Sequence, residues 1–212
     1  MIPWIRNLSK EFLQNFYLRK NFMWRLPGDA RNAIGLTFDD GPDPKYTPAM
    51  LDLLARLDVK ATFFVIGNNV ERHPRLVRDI VEQGHAVGGH TQTHRVIVQL
   101  SHRLLEDELR QCRTVIQDAT GVDTRLFRPP RGQVSFASVR RVAQLGYRLV
   151  HWSKTFSDYQ CDNTEYLVKR IQQGAVRGRD ILLFHDTNPH TVEALTEAIP
   201  QWQSGGFVFH RL

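Results

Sequence analysis

The chain has 212 residues, 42% of them apolar and 24% charged, a balance that supports a sizeable core and excludes a disordered or low-complexity chain. Its net charge of +6 suits an acidic substrate or an anionic membrane surface, and no nucleic-acid fingerprint accompanies it. Its two cysteines, Cys112 and Cys161, are far apart and outside any metal-type spacing, which argues against a disulfide framework or a zinc ribbon and fits a reducing compartment.

Taken in order, the chain begins with Trp4, Ile5, Leu8, Phe12 and Phe16 at helical spacing, with Arg6, Lys10, Arg19 and Lys20 between and after them. This predicts a basic amphipathic helix and lead-in over residues 1–30. Such a helix either lies on a membrane interface or packs its aromatic face on the domain that follows, residues 31–212. The charges break any apolar run of secretion-signal or membrane-spanning length. The expectation is a cytoplasmic protein, with peripheral contact on the inner membrane face open through that helix.

A strand over Ala33–Leu36 runs into Thr37-Phe38-Asp39-Asp40-Gly41-Pro42. Beyond it, strands are predicted at Thr62–Ile66, Ala86–Gly88, Leu126–Phe127, Tyr147–Trp152, Asp180–Phe184 and Phe207–Phe209. Helical patterns alternate with them at Thr47–Arg56, from Pro74 to Val81, and over Arg103–Ala119, Val134–Leu145, Tyr166–Val176 and Val192–Trp202. About seven strands alternating with helices predict an α/β fold, a distorted (β/α) barrel of parallel strands resembling a TIM barrel. In such a barrel the strand ends share one face, where active sites are built. Asp39, Asp40, His90, Arg128, Trp152 and His185 all follow predicted strands, so distant residues converge there.

Adjacent carboxylates repel, and Asp39–Asp40 suits a site where one binds a cation and the other handles a proton. His90 and His94, at i and i+4, are expected on one side of a helical turn. With Asp40 they make a two-histidine, one-carboxylate set for one divalent ion. Zinc is the first choice, and Fe, Co, Ni or Mn suit the same set. His185, at the end of an apolar strand, is a general-acid candidate, and Arg128, fixed by two prolines, can orient Asp39.

Together the stretches Thr37–Pro42, His90-Thr91-x-Thr93-His94, Arg128-Pro129-Pro130-x-Gly132 and Leu183-Phe184-His185-Asp186 resemble the polysaccharide deacetylases. These are carbohydrate esterase family 4, the nodulation-factor deacetylase homology domain, and the likeness covers residues 33 to 210. The resemblance implies metal-dependent hydrolysis of the N-acetyl amide of an amino sugar. It makes Asp40, His90 and His94 the metal ligands, Asp39 the base, Arg128 its holder, and His185 the acid, tuned by Asp158. It also implies an acetyl pocket lined by Leu183 and an oxyanion contact from the backbone N–H of Arg131.

The chain departs from the family pattern at three positions. Arg131 stands where the family has an aromatic residue. Thr155 replaces the first Asp of an Asp-x-x-Asp-Trp motif, and Tyr159 its Trp. A groove wall formed by Arg131, Tyr159, Leu183 and Trp152 is therefore expected to bind a changed substrate, such as a lipid- or nucleotide-linked sugar. An N-deformylase of a lipid-linked amino sugar and a catalytically inactive sugar-binding homologue are the alternatives.

Overall fold

A computed structural model describes residues 21–28 and 31–212. The predicted amphipathic helix falls mostly on residues 1–20, outside the described residues. Among the described residues nine parallel strands form one sheet: β1 (Phe22–Met23), β2 (Ala33–Asp39), β3 (Thr62–Val65), β4 (Ala86–Gly89), β5 (Leu126–Phe127), β6 (Arg148–Val150), β7 (Lys154–Thr155), β8 (Ile181–His185) and β9 (Val208–Phe209). Their order is β1-β6-β5-β4-β3-β2-β8-β7, with β9 also paired to β2. The connecting helices are α1 (Tyr46–Arg56), α2 (Gly67–Arg72), α3 (Pro74–Glu82), α4 (His102–Thr120), α5 (Phe136–Gln144), α6 (Thr164–Gln173) and α7 (Pro189–Ser204). The parallel α/β barrel is as expected, and it is distorted and open along one seam.

Period-2 alternation divides each central strand between two layers. In β2, Ile34, Leu36 and Phe38 are buried against the helices, in one core with Phe63, Val65, Leu182 and Phe184. The alternate residues Ala33, Gly35, Thr37 and Asp39 face the barrel interior. There Met23, Leu26, Phe64, Val150 and Ile181 fill the lower part. Apolar side chains therefore floor the barrel, and polar ones emerge only at the strand ends.

The seam is partly sealed by the first described residues. Beyond β1, which pairs with β6, Arg25 bridges Asp180 and Leu26 N–H bonds to the carbonyl of Arg179 at 2.8 Å. The segment thus reaches from β6 toward the start of β8. Phe22, Met23 and Leu26 are all buried.

Two strands and one helix exceed the sequence expectation. β1 and β7 have two residues each, too few for any alternation to register. Helix α2, Gly67–Arg72, is one and a half turns long and ends just before Pro74 opens α3. The ends of the long elements follow their punctuation. Pro74 sits at the first turn of α3, Ser101 caps α4 by accepting the Leu104 N–H, and Gly121 closes it in the left-handed conformation. Helix α6 stops at Gln173, short of the expected Val176, because the chain turns at Gly174.

Candidate active site

The site lies where the strands end. Asp39 and His185 are the last residues of β2 and β8, and the two strands are paired in register at these positions. His90 directly follows β4 and Arg128 directly follows β5. Both are tied to the sheet edge by backbone hydrogen bonds, His90 N–H to Val65 and Arg128 N–H to Gly89.

The two neighbouring aspartates have separate partners. Asp39 Oδ1 accepts from Arg128 Nη1 at 2.7 Å, and the same nitrogen donates to Thr37 Oγ1 at 2.7 Å. Arg128 is wholly buried, lying 4.2 Å over the Phe64 ring with Nη2 3.4 Å from the His151 carbonyl. A buried guanidinium is tolerable only when paired, and removing one member of such a pair costs about 3–5 kcal/mol. Arg128 and Asp39 therefore fix each other.

Asp40 turns the other way because its backbone is left-handed, with φ of 74°. That conformation is uncommon for a residue with a side chain, and neighbours hold it. Asn69 on α2 donates to the Asp40 carbonyl at 2.9 Å, and Ile66 N–H bonds to the Gly41 carbonyl. At Gly41 a β-carbon would fall 2.4 Å from the Asp186 carboxylate, so only glycine fits between the Asp40 loop and Asp186.

Asp40 Oδ1 lies 3.4 Å from His90 Nε2 and 3.1 Å from His94 Nε2. One ligand atom from each residue falls within 4.8 Å of the others. His90 Nδ1 faces the Arg128 carbonyl at 2.8 Å. A carbonyl can only accept, so Nδ1 carries the proton and Nε2 presents its lone pair. Burial alone would raise the Asp40 carboxyl, but its contacts with the His90 and His94 rings and the nearby positive charge of His185 hold it well below the usual carboxylate range. Asp40 Oδ1 is buried without a conventional hydrogen-bond partner. Two imidazoles and an ionised, under-satisfied carboxylate at this spacing fit one divalent ion, whose N and O donors sit about 2.0–2.2 Å from it.

The expected helical turn at His90–His94 is absent. The segment is an irregular loop in which Thr91 and His94 are left-handed, with φ of 64° and 58°. The first N–H groups of α2, at Gly67 and Asn68, have no acceptor within their own helix, and the Thr91 and Gln92 carbonyls of this loop supply it. Backbone pairing with α2 replaces helical pairing.

Opposite this loop, His185 Nδ1 bonds to Asp158 Oδ1 at 2.9 Å, leaving Nε2 at 3.9 Å from Asp40 Oδ2. Asp158 is fully buried. Its Oδ2 accepts from the His185 backbone N–H at 2.7 Å and from Thr191 Oγ1 at 2.9 Å. Burial would lower the His185 imidazole, but the Asp158 carboxylate, with Asp39 and Asp40, pushes it up to about 9. It is poised as an acid.

The remaining expected residues frame this centre. Leu183, two residues before His185, is buried on the same side of β8. Tyr159 is exposed and meets the His185 ring edge-on, with centroids 5.4 Å apart. Arg131 is exposed and left-handed, at φ 58°, inside the short turn Pro130–Gly132. Trp152 stands half-buried behind that turn, 5.9 Å from the Arg128 guanidinium. A β-carbon on Gly132 would fall 2.3 Å from the Trp152 ring, so this glycine lets the turn lie flat on the indole.

Sequence reasoning missed four residues that hold the site. Thr37, Glu108, His151 and Thr191 act through hydrogen bonds to the residues named above. His151 stacks on Trp152 with centroids 4.1 Å apart, accepts the Trp152 N–H at Nδ1, and presents Nε2 to the Gly132 carbonyl at 3.3 Å. None carries a motif of its own in the sequence, and only Thr37, two residues before Asp39 on one strand face, leaves a usable signal.

The fold and site fit a hydrolytic centre at the strand ends of a parallel α/β barrel. Residues 28–150 match the family described as polysaccharide deacetylase. A peptidoglycan-N-acetylglucosamine deacetylase of Bacillus cereus is 35% identical over 191 residues, 88% of each chain. The crystal structure of the peptidoglycan N-acetylglucosamine deacetylase Bc1960 superposes with a TM-score of 0.84 at 28% identity, over 90% of both chains. A family 4 pseudoenzyme from Bacillus anthracis, BA3943, gives 0.83 at 27% identity, over 90% of this chain and 67% of its own. The chain belongs to the polysaccharide deacetylase family, the family 4 carbohydrate esterases.

Proposed function

We propose that this protein removes the N-acetyl group from an amino sugar of a peptidoglycan-like or related glycan, using one divalent metal ion held by Asp40, His90 and His94. Support for the reading comes chiefly from the division of labour between adjacent aspartates: Asp39 is tied to Arg128 while Asp40 faces two imidazoles. A bound ion of this kind supplies Lewis acidity, polarising the amide carbonyl and activating water.

The protein's own groups carry the rest. Asp39, oriented by Arg128, accepts the proton of the attacking water. The backbone N–H of Arg131 donates to the oxygen that becomes negative as the carbonyl carbon turns tetrahedral. His185, kept protonated by Asp158, gives its proton to the departing amine. Leu183 receives the acetyl methyl, and Tyr159 and Trp152 bound the sugar groove. The exposed Arg131 guanidinium favours a substrate carrying a carboxylate or phosphate near the cut amide.

An inactive homologue is the competing reading, because a pseudoenzyme shares this fold. Against it, Asp39, Asp40, His90, His94 and His185 are all present and in contact range. The test is acetate release from N-acetylated oligosaccharides, lipid-linked and nucleotide-linked sugars, after chelation and re-addition of single metals. Formate release from matched N-formyl sugars is measured in parallel. Metal-restored acetate release supports the reading; binding without hydrolysis of any substrate sinks it. Cell fractionation alongside tests a cytoplasmic or inner-face location, which belongs to this proposal.

A further inference from the structure

His94 stands apart from the other two ligands. Asp40 is held by α2 and His90 by the Arg128 carbonyl, whereas the His94 ring is one-third exposed and its backbone is left-handed. A ligand on such a loop keeps its place only if something outside the loop fixes it.

That support comes from one face of helix α4. Glu108 is buried at 5% exposure, an unusual place for a carboxylate unless it is bonded. Its Oε2 accepts the Thr93 backbone N–H at 2.8 Å and its Oε1 accepts the Thr93 hydroxyl at 2.6 Å. Arg95 Nε approaches the same Oε1 at 3.9 Å. Both carboxylate oxygens are therefore used on the residues flanking His94. One turn further along the same face, Cys112 Sγ bonds to the Val65 carbonyl and packs against Gly89, the residue before His90. Two successive turns of one helix thus pin the metal loop just before each of its histidines.

We propose that Glu108 is a positioning residue of the metal centre: by clamping both donors of Thr93 it presets His94 as a ligand. This rests on the metal reading above. The alternative is a loop anchor that serves folding alone. The two differ in one observable, because a preset ligand changes the metal affinity of protein that is already folded.

The full chain is stripped of metal and titrated with zinc against a chromophoric chelator, with the melting temperature of each apoprotein measured alongside. Wild type and His94→Ala come first. If wild type binds no better than His94→Ala, the metal reading falls and the clamp with it. If wild type binds, Glu108→Gln is decisive. Its amide keeps the shape but offers one acceptor where two donors converge, and the expected loss is about 10- to 100-fold in zinc affinity. Thr93→Val, which removes only the hydroxyl, tests the same contact where Glu108→Gln fails to fold, with a smaller expected loss. Thr93→Ser, which keeps both donors, restores affinity to near the wild-type value. Folded Glu108→Gln or Thr93→Val protein that binds zinc as tightly as wild type overturns the proposal, whatever happens to its melting temperature.

Discussion

At the scale of single residues, the site is a set of buried charges whose partners are chosen one by one. Asp39→Asn should keep the metal ligands in place while removing the proton acceptor, so metal content stays at the wild-type level. The turnover number should fall by about 10²-fold or more, the usual range for a lost general base. Acetate release and metal analysis on one preparation check this. Asp186 makes a different case. Burial pushes its carboxyl up to about 7, outweighing the hydrogen bond it accepts from Thr47. The fold thus prefers it protonated, and the preference weakens as pH rises from about 4 through 7. Asp186→Asn, a neutral shape match, should therefore melt no lower than wild type at pH 8. Asp186→Ala should melt lower, since the Thr47 hydroxyl loses its partner. Denaturation of both variants at pH 8 checks the pair.

At the scale of elements, the sequence was legible wherever length and punctuation coincided. Helix α4 shows its cap, its apolar stripe and its terminal glycine, and its span follows. Strand β2 runs three residues past the apolar Ala33–Leu36, because Thr37 and Asp39 are polar yet face a barrel interior that holds Arg128. The His90–His94 spacing does bring the two rings together beside Asp40, but on an irregular loop and not on the expected helical turn. Spacing alone cannot distinguish a helical turn from a loop that borrows its hydrogen bonds from α2. Glu108 and His151 left no signal, since their roles exist only once α4 and β6 are packed.

A junction between elements also carries a pH response. His85, buried between α3 and β4, accepts the Ala61 N–H at Nδ1, which requires a neutral imidazole. Burial, with Lys60 and Arg211 nearby, lowers it from 6.5 to about 4. In the unfolded chain it takes a proton first, so its contribution is intact above about pH 6.5 and fades as pH falls toward 4. The melting temperature should drop across this window more steeply in wild type than in His85→Asn. Asp186 titrates with the opposite sign, so it is the difference between the two curves that reports His85. Parallel curves would remove His85 as the cause.

At the scale of the whole molecule, the candidate metal ligands span β2 and the loop beyond β4, so an ion bound there should stabilise the entire barrel. Zinc at 100 times its dissociation constant adds about 2.7 kcal/mol by mass action, or about 5–10 °C for a domain of this size. Thermal melts with and without zinc check this, with His94→Ala as the variant expected to show little shift.

The short run Phe22–Leu26 acts as a stave in a cask. It bridges β6 and the approach to β8, and its Met23 carbonyl receives the N–H of His151 at 2.6 Å. His151 in turn offers its own carbonyl to Arg128. A protein trimmed to begin at the residue where the family match starts, 28, would keep every residue assigned a chemical role. It would nonetheless open the floor beneath Arg128 to water, and Asp39 would lose the dry wall behind its partner.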